Sequence, residues 1–405
     1  MTAAGLDLDV SQAEIYAEDR WREPFAWLRA NAPVHRVEDS KHGPYWSVST
    51  YQPIVDIEAQ PDLFSSSWRQ GVTSITIAER PPGKGFPNFI RMDAPEHGLQ
   101  RKVVTPAFTP SEMARLATDI RARAGALLDA LPVGERFDWV DKVSIELTTQ
   151  MLAVLFDFPW QDRRLLPFWS DVAGNIEQFN DDAAQETRLG HLQDMGNYFK
   201  RLWDERLAGA AAPDLLSRMI RSEVTGSMSM DEFIGALTLL VIGGNDTTRN
   251  TMSALVYALD QYPDQRAALE ADPALTDNAV SELIRWQTPL AHMRRNAVRD
   301  VELEGQTIRA GDKVVLWYIS ANRDESVFPD AERFDVRREN ARRHLAFGYG
   351  VHRCVGARLA ELQVRILIEE MAKRRLRAHV EAAPVRVAQS FVHGYESIEV
   401  SLERY

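Results

Sequence analysis

The residue best suited to electron-rich chemistry is Cys354, the one cysteine among 405 residues. A lone cysteine forms no internal disulfide, which fits a reducing compartment, and is most often a small buried hydrophobe. Its neighbours change that reading. The segment from residue 344 to 356 runs HLAFGYGVHRCVG, and a helical pattern follows from about residue 357 to 375. The cysteine therefore ends a glycine-rich loop just ahead of a helix. Amides at a helix N-terminus favour an anion, so a thiolate there is stabilised and its pKa is expected to fall. Gly348, Gly350 and Gly356 let the backbone turn sharply and approach a flat ligand. A second constellation is Gly243, Gly244, Asn245, Asp246, Thr247 and Thr248. Inside a helix each glycine costs about 1 kcal/mol relative to alanine. An acid and a hydroxyl beside that gap predict a local opening, with space for a diatomic ligand and a proton donor.

The elements that must hold these groups are mainly helical. Apolar residues recur at three and four over residues 111–131 and 142–157, which predicts helices there. The longest helix is predicted over residues 230–261. Ser229 and Glu232 form a capping box, no proline interrupts the run, and Tyr262 and Pro263 end it. It far exceeds the mean globular helix of about 11–12 residues. It is apolar on most faces, so it is expected to cross the centre of the protein. Strand patterns are few: residues 45–49, residues 301–304 and 313–317 about Gly305 and Gly311, and residues 397–402. Pro81, Pro82 and Pro87 predict loops. No repeat, low-complexity segment or linker divides the chain. One domain over residues 1–405 is expected, mainly α with a small β component.

The pattern Phe347-x-x-Gly350-x-x-x-Cys354-x-Gly356 resembles the haem-binding signature of the cytochromes P-450, whose iron is held by a cysteine thiolate. Gly243-Gly244-x-Asp246-Thr247-Thr248 resembles that family's oxygen-activation motif. The resemblance covers about residues 90–400. It implies the family's single-domain fold, a triangular helical prism crossed by a long central helix. It implies haem b on Cys354, with Phe347 packed beside the ligand, Gly348 in the cofactor loop and His352 paired with a propionate. Thr247 would hydrogen-bond the dioxygen and Asp246 would relay protons from solvent. His97 and Arg101, four apart, look like the propionate-binding helix. Arg294, nine residues past Arg285, looks like a further propionate-binding arginine, with His292 assisting. Glu282, Arg285 and Arg333 look like a buried Glu–Arg–Arg network that holds the cysteine loop, where removing one partner strands a buried charge.

Three segments narrow the branch: residues 243–250 (GGNDTTRN), 288–295 (TPLAHMRR) and 391–395 (FVHGY). They look like the bacterial alkane and fatty-acid terminal hydroxylases. The implied reaction inserts one oxygen atom of dioxygen into an unactivated C–H bond of a medium-chain alkane or fatty acid. Hydroxylases of terpenoids and methyl-branched lipids share parts of these segments. Leu239, Ile242, Gly243, Leu290 and Val392 are the expected wall of a narrow apolar channel.

The formal charge is 47 − 59 = −12, which disfavours general nucleic-acid binding. The longest apolar stretch, residues 233–244, is short of the roughly 20 residues of a membrane span. Residues 1–18 lack the pattern of a signal peptide, so a soluble, cytoplasmic monomer is expected. No Gly-rich dinucleotide site stands out. Electrons are expected from a [2Fe–2S] ferredoxin with its reductase, docking on Arg337, Arg338, Arg342, Arg343, Arg353 and Arg358 around the cysteine loop, with Lys102 nearby. A peroxygenase is the weaker reading, because it would not need proton relay by Asp246 and Thr247. A haem gas sensor would need an output segment, and none is separable.

Overall fold

The Ser229 hydroxyl accepts the Glu232 N–H at 3.3 Å, and the Glu232 carboxylate accepts the Ser229 N–H at 2.8 Å. This capping box starts the helix Met230–Gln261, which runs 32 residues. The chain is seen in a computed structural model that describes residues 6–70, 73–75, 86–176, 181–209 and 212–405. Pro81 and Pro82 lie outside the described residues; Pro87 sits in irregular backbone.

The central helix is continuous, so the expected local opening is not what relieves the glycine pair. Instead, side chains bond to carbonyls four residues back. Thr247 Oγ1 donates to Gly243 O at 3.2 Å, Asn250 Nδ2 to Asp246 O at 2.9 Å and Thr251 Oγ1 to Thr247 O at 2.8 Å. Such bonds satisfy a carbonyl twice and bend a helix without breaking it.

The helix buries Phe233, Ile234, Leu237, Leu240 and Val241 before the glycines and Met252, Leu255 and Val256 after them. Each such side chain contributes about 1.5–3 kcal/mol when fully buried. Against it pack the helices Glu146–Phe156, Leu165–Gly174, Asp182–Ala208, Thr276–Gln287 and Ala357–Lys373. Among the described residues there are fourteen α-helices and four small sheets. The fold is mainly α with a small β component, as expected.

The five-stranded sheet joins Val34–Val37, Tyr45–Val48, Lys313–Leu316, Met293–Ala297 and Phe64–Ser65 in that order. Val301–Leu303 pairs separately with Gln306–Ile308. The turn between them uses Glu304 and Gly305, both at positive φ. The tail strand Glu399–Arg404 closes a three-stranded sheet with Leu376–Val380 and Arg136–Asp138.

Candidate active site

Cys354 opens into a cavity of about 1420 Å³, part of it continuous with solvent. The cysteine loop is shaped by its glycines. Gly350 adopts φ +64°, and a Cβ there would sit 2.3 Å from the Glu58 carbonyl. Only glycine lets the loop turn over the end of the helix Tyr51–Glu58. The Cys354 N–H donates to Phe347 O at 2.8 Å, which brings the Phe347 ring to the ligand side of the cavity. Burial pushes the Cys354 thiol up; the N–H groups of Gly356 and Ala357, with Arg101 and Arg353, pull it down by less. The depression expected from the helix N-terminus alone is outweighed by desolvation. A coordinated metal cation reverses that balance, because a ligating thiol is deprotonated outright.

One end of the cavity gathers guanidinium groups and neutral imidazoles. Arg101, Arg295 and His352 line it, and the His97 and His352 rings lie 4.3 Å apart. Burial drives His352 down to about 2, with further push from Arg295, His97 and Arg101. His97 Nε2 and His352 Nδ1 are buried without a hydrogen-bond partner among the described residues. Glu58 is the one acid among the described lining residues. Its carboxylate accepts from Arg295 Nη2 at 2.8 Å, Tyr318 OH at 2.7 Å and the Tyr349 N–H at 2.7 Å. Two arginines beside imidazole nitrogens that lack partners are what an anionic ligand with several oxygens would satisfy. The residues present therefore fit haem b: Cys354 for the iron, and Arg101, Arg295, His97 and His352 for the propionates.

Two expected propionate ligands are corrected. Arg294 points away from the cavity, its guanidinium donating to Asn296 Oδ1 at 2.9 Å and 3.0 Å. It lies on the strand Met293–Ala297, where alternate side chains face opposite sides. Met293 and Arg295 share the cavity side. His292 is likewise fully buried elsewhere. One ring nitrogen lies 2.8 Å from Ser390 O, and the other accepts the Ile75 N–H at 3.1 Å. It is a core histidine.

The Glu–Arg–Arg network exists, with a different third member. Arg285 clasps Glu282 at 2.7 Å and 2.8 Å, and Arg338 Nε donates to Glu282 at 3.1 Å. The side chains of Glu282 and Arg285 are 0% exposed and that of Arg338 is 7%. Arg333 is an exposed residue whose side chain pairs with Asp264; only its carbonyl serves the network, accepting from Arg285 and Arg338. Arg285 also donates to Asn322 O, and Asn322 Oδ1 accepts the Leu345 N–H at 2.7 Å. That bond carries the anchor into the cysteine loop.

The opposite wall comes from the central helix. Leu239, Gly243, Thr247 and Thr251, spaced by four, all line the cavity, as do Leu240, Gly244 and Thr248 beside them. Ile242 lies off both stripes and packs against the core, so it is not a wall residue. The two glycines divide the work. A Cβ at Gly243 would meet nothing within 4 Å, whereas one at Gly244 would lie 2.6 Å from Leu152. Gly243 leaves space in the cavity; Gly244 allows close packing. Leu290 lines the cavity and Val392 does not. Val392 forms an antiparallel bridge to Leu290 and supports it from behind.

Asp246 is buried beside Thr247 but its carboxylate points into the helix Leu165–Gly174. Ser170 Oγ donates to it at 2.7 Å, Asn245 Nδ2 at 3.0 Å, and Arg249 approaches to 3.3 Å. Burial raises its pKa; Arg249 and the hydrogen bonds oppose that, and Asp171 adds to it. Arg249 in turn meets Asp171 at 2.8 Å, and the Asp171 side chain is 56% exposed. The acid is thus connected to solvent through an ion pair, a link that spacing alone does not reveal. Glu58, Arg295, Arg338, Arg249 and Asp171 are the functional residues the sequence reading missed. Strand alternation was the signal available for Arg295.

The family model Cytochrome P450 matches residues 127–374. Linalool 8-monooxygenase of Pseudomonas putida is 35% identical, over 97% of this chain and 98% of its own. Methyl-branched lipid omega-hydroxylase of Mycobacterium tuberculosis is 32% identical, over 98% of this chain and 94% of its own. Cytochrome P450-153 from Novosphingobium aromaticivorans has a TM-score of 0.92 and 55% identity, covering 98% of this chain and 99% of that one. CYP153D17 from a Sphingomonas species has a TM-score of 0.93 and 58% identity, with coverage of 98% and 99%.

Proposed function

Given that the chain belongs to the cytochrome P450 family and is a monooxygenase, we propose that it hydroxylates the terminal carbon of medium-chain alkanes or fatty acids. Haem b, bound on Cys354, supplies the iron that activates dioxygen. The protein supplies position, dryness and protons. Thr247 Oγ1, in the cavity wall, can exchange its Gly243 bond for one to a ligand. Asp246, its pKa raised by burial, lies next in the chain to Thr247 and is linked by Arg249 to the half-exposed Asp171, an ion pair whose opening would let solvent protons reach it.

The observation that carries the substrate reading is the apolar lining around Thr247. Phe89, Leu239, Leu240, Pro289, Leu290 and Met293 present an apolar surface. A primary C–H bond is stronger than a secondary one, so terminal attack must be imposed by shape. An apolar wall that admits a chain end-on supplies that shape. The likeness to a methyl-branched lipid omega-hydroxylase supports attack at a chain end, without favouring a straight chain over a branched one. A second reading, hydroxylation of a terpenoid or methyl-branched lipid, is favoured by the likeness to linalool 8-monooxygenase. Titrating the protein with n-octane, dodecanoic acid and linalool, and following the haem spin-state band, separates them. Tighter, fuller shifts with the straight chains are expected. A response to linalool alone overturns the first reading.

Electrons are proposed to come from a [2Fe–2S] ferredoxin and its reductase. Arg337, Arg342, Arg343, Arg353, Arg358 and Lys102 are exposed around the cysteine loop. Arg338 leaves this group, because it is buried on Glu282. First-electron transfer should slow as salt rises from about 0.05 M to 0.5 M, since a Debye length of about 10 Å at 0.1 M shrinks with ionic strength. A rate insensitive to salt contradicts docking on this face. Among the described residues no helix is long and apolar enough to cross a membrane; a cytoplasmic monomer is the proposed setting.

A further inference from the structure

Two of the segments that mark the branch, residues 243–250 and 391–395, meet at one buried side chain, and the third, residues 288–295, is tied to them through hydrogen bonds of Gln287 and His393. Asn250 is fully buried. Its Nδ2 donates to Asp246 O at 2.9 Å, and its Oδ1 accepts the Tyr395 N–H at 2.9 Å. The fit is close. A Cβ at Gly394 would lie 2.1 Å from Asn250 Oδ1 and 2.5 Å from Nδ2. Nothing but glycine fits there while Asn250 keeps this position. From Tyr395 the tie continues. Tyr395 OH donates to Gln287 Oε1 at 3.1 Å, Gln287 Nε2 donates to His393 O at 2.8 Å, and the His393 N–H donates to Pro289 O at 2.9 Å. The Ala291 N–H donates to Phe391 O at 2.9 Å, and Leu290 bridges Val392. Pro289 and Leu290 are cavity wall, and so is Thr247, next in the chain to Asp246.

We propose that Asn250 is a positioning residue that sets which carbon of a bound chain is oxidised, by fixing the Pro289–Leu290 wall relative to Thr247. The inference rests on the chain-oxidation reading above and deepens it. The amide suits the task because it presents a donor and an acceptor at fixed separation. Aspartate would set a second acceptor against Asp246 O. Glutamine is one methylene longer and has no room against Gly394. An aliphatic side chain leaves the Tyr395 N–H buried without an acceptor. The wall is then free to shift, and a shift of one carbon spacing exchanges terminal for penultimate attack.

The test is the ratio of terminal to inner alcohols formed from n-octane and dodecanoic acid by native enzyme, Asn250→Ala, Gly394→Ala and the double variant. Each single change is expected to move the ratio toward inner positions by roughly fivefold, the scale of coupling between touching groups. The double variant should match Asn250→Ala, because the new methyl occupies the space the amide leaves. The reduced carbon-monoxide spectrum should keep its thiolate form throughout. A native ratio in Asn250→Ala, or effects of the two changes that simply multiply, overturns the proposal. If Asn250→Ala lacks the thiolate spectrum, Asn250→Ser replaces it, with an intermediate shift expected and a native ratio overturning. If native enzyme oxidises neither probe, the substrate reading fails and the tie is read by amide hydrogen exchange. Faster exchange at Tyr395 and over residues 243–251 in Asn250→Ala supports it, and unchanged exchange overturns it.

Discussion

On the Cys354 side of the cavity, ions hold the structure. Glu282, Arg285 and Arg338 anchor the loop through Asn322, and Glu58 locks Arg295 and the Tyr349 N–H over its other edge. On the Leu290 side the wall is apolar and the bonds behind it are amide to amide, through Asn250, Gln287 and His393. The first arrangement strands buried guanidinium charge if its carboxylate is lost, so it tolerates little change there. The second loses only neutral hydrogen bonds, which are each worth less. Such a molecule can hold one cofactor firmly while the wall that meets substrate varies.

The difference is broken most severely at Glu282. Glu282→Ala should lower stability by about 3–5 kcal/mol, because it strands the buried guanidinium groups of Arg285 and Arg338. Arg333→Ala should leave the thermal midpoint close to native, since its side chain pairs only with exposed Asp264. Equal losses in thermal unfolding would place the network wrongly. Next in size is the acid. Asp246→Asn should cut product formation by about a hundredfold. The reduced carbon-monoxide spectrum should be retained, because Asp246 does not touch the Cys354 loop. Native turnover in that variant removes Asp246 from the relay.

Arg295→Ala should raise the rate of haem loss to an apo-globin acceptor by about tenfold or more, as expected for a charge-assisted hydrogen bond worth about 1.5–3 kcal/mol. Arg294→Ala should raise it far less. The reverse order would restore the expectation from spacing. The smallest effect is on pH. Burial pushes His292 to about 3 and His344 to about 3, the latter helped by Arg353 and Arg285. The unfolded imidazoles bind protons near 6.5 while the folded ones stay neutral. Stability is therefore full above pH 6.5 and is lost as pH falls, by about 1.4 kcal/mol per unit for each group. Thermal midpoints measured from about pH 7 to pH 5 should fall, and His292→Gln should flatten the slope. A midpoint independent of pH in that window contradicts the neutral burial of these rings.

The cysteine side was the more legible in sequence. Its loop is contiguous, so Phe347, Gly350 and Cys354 keep their relation whatever surrounds them. The long helix was legible for the same reason, from capping box to Gln261, and of its expected wall residues Leu239 and Gly243 line the cavity while Ile242 does not. What failed needed distant partners. Arg333 and Arg338 lie in one arginine-rich stretch, and only the position of Glu282 decides which is buried. Arg294 and Arg295 differ by the phase of a strand that neighbouring residues do not set. Glu58 lies far from Arg295 in the chain. The direction of Asp246 depends on Ser170, and the thiol's net shift on the groups packed around Cys354 from other elements.

The central claim is that this cavity directs oxygen from dioxygen to the end of an apolar chain. It is tested most directly by giving the native enzyme n-octane, isotopically labelled dioxygen, NADH, a [2Fe–2S] ferredoxin and its reductase, and analysing the alcohols. The account predicts mainly the primary alcohol, carrying the label. Secondary alcohols in excess, label absent from the product, or no product from octane or dodecanoic acid would contradict it.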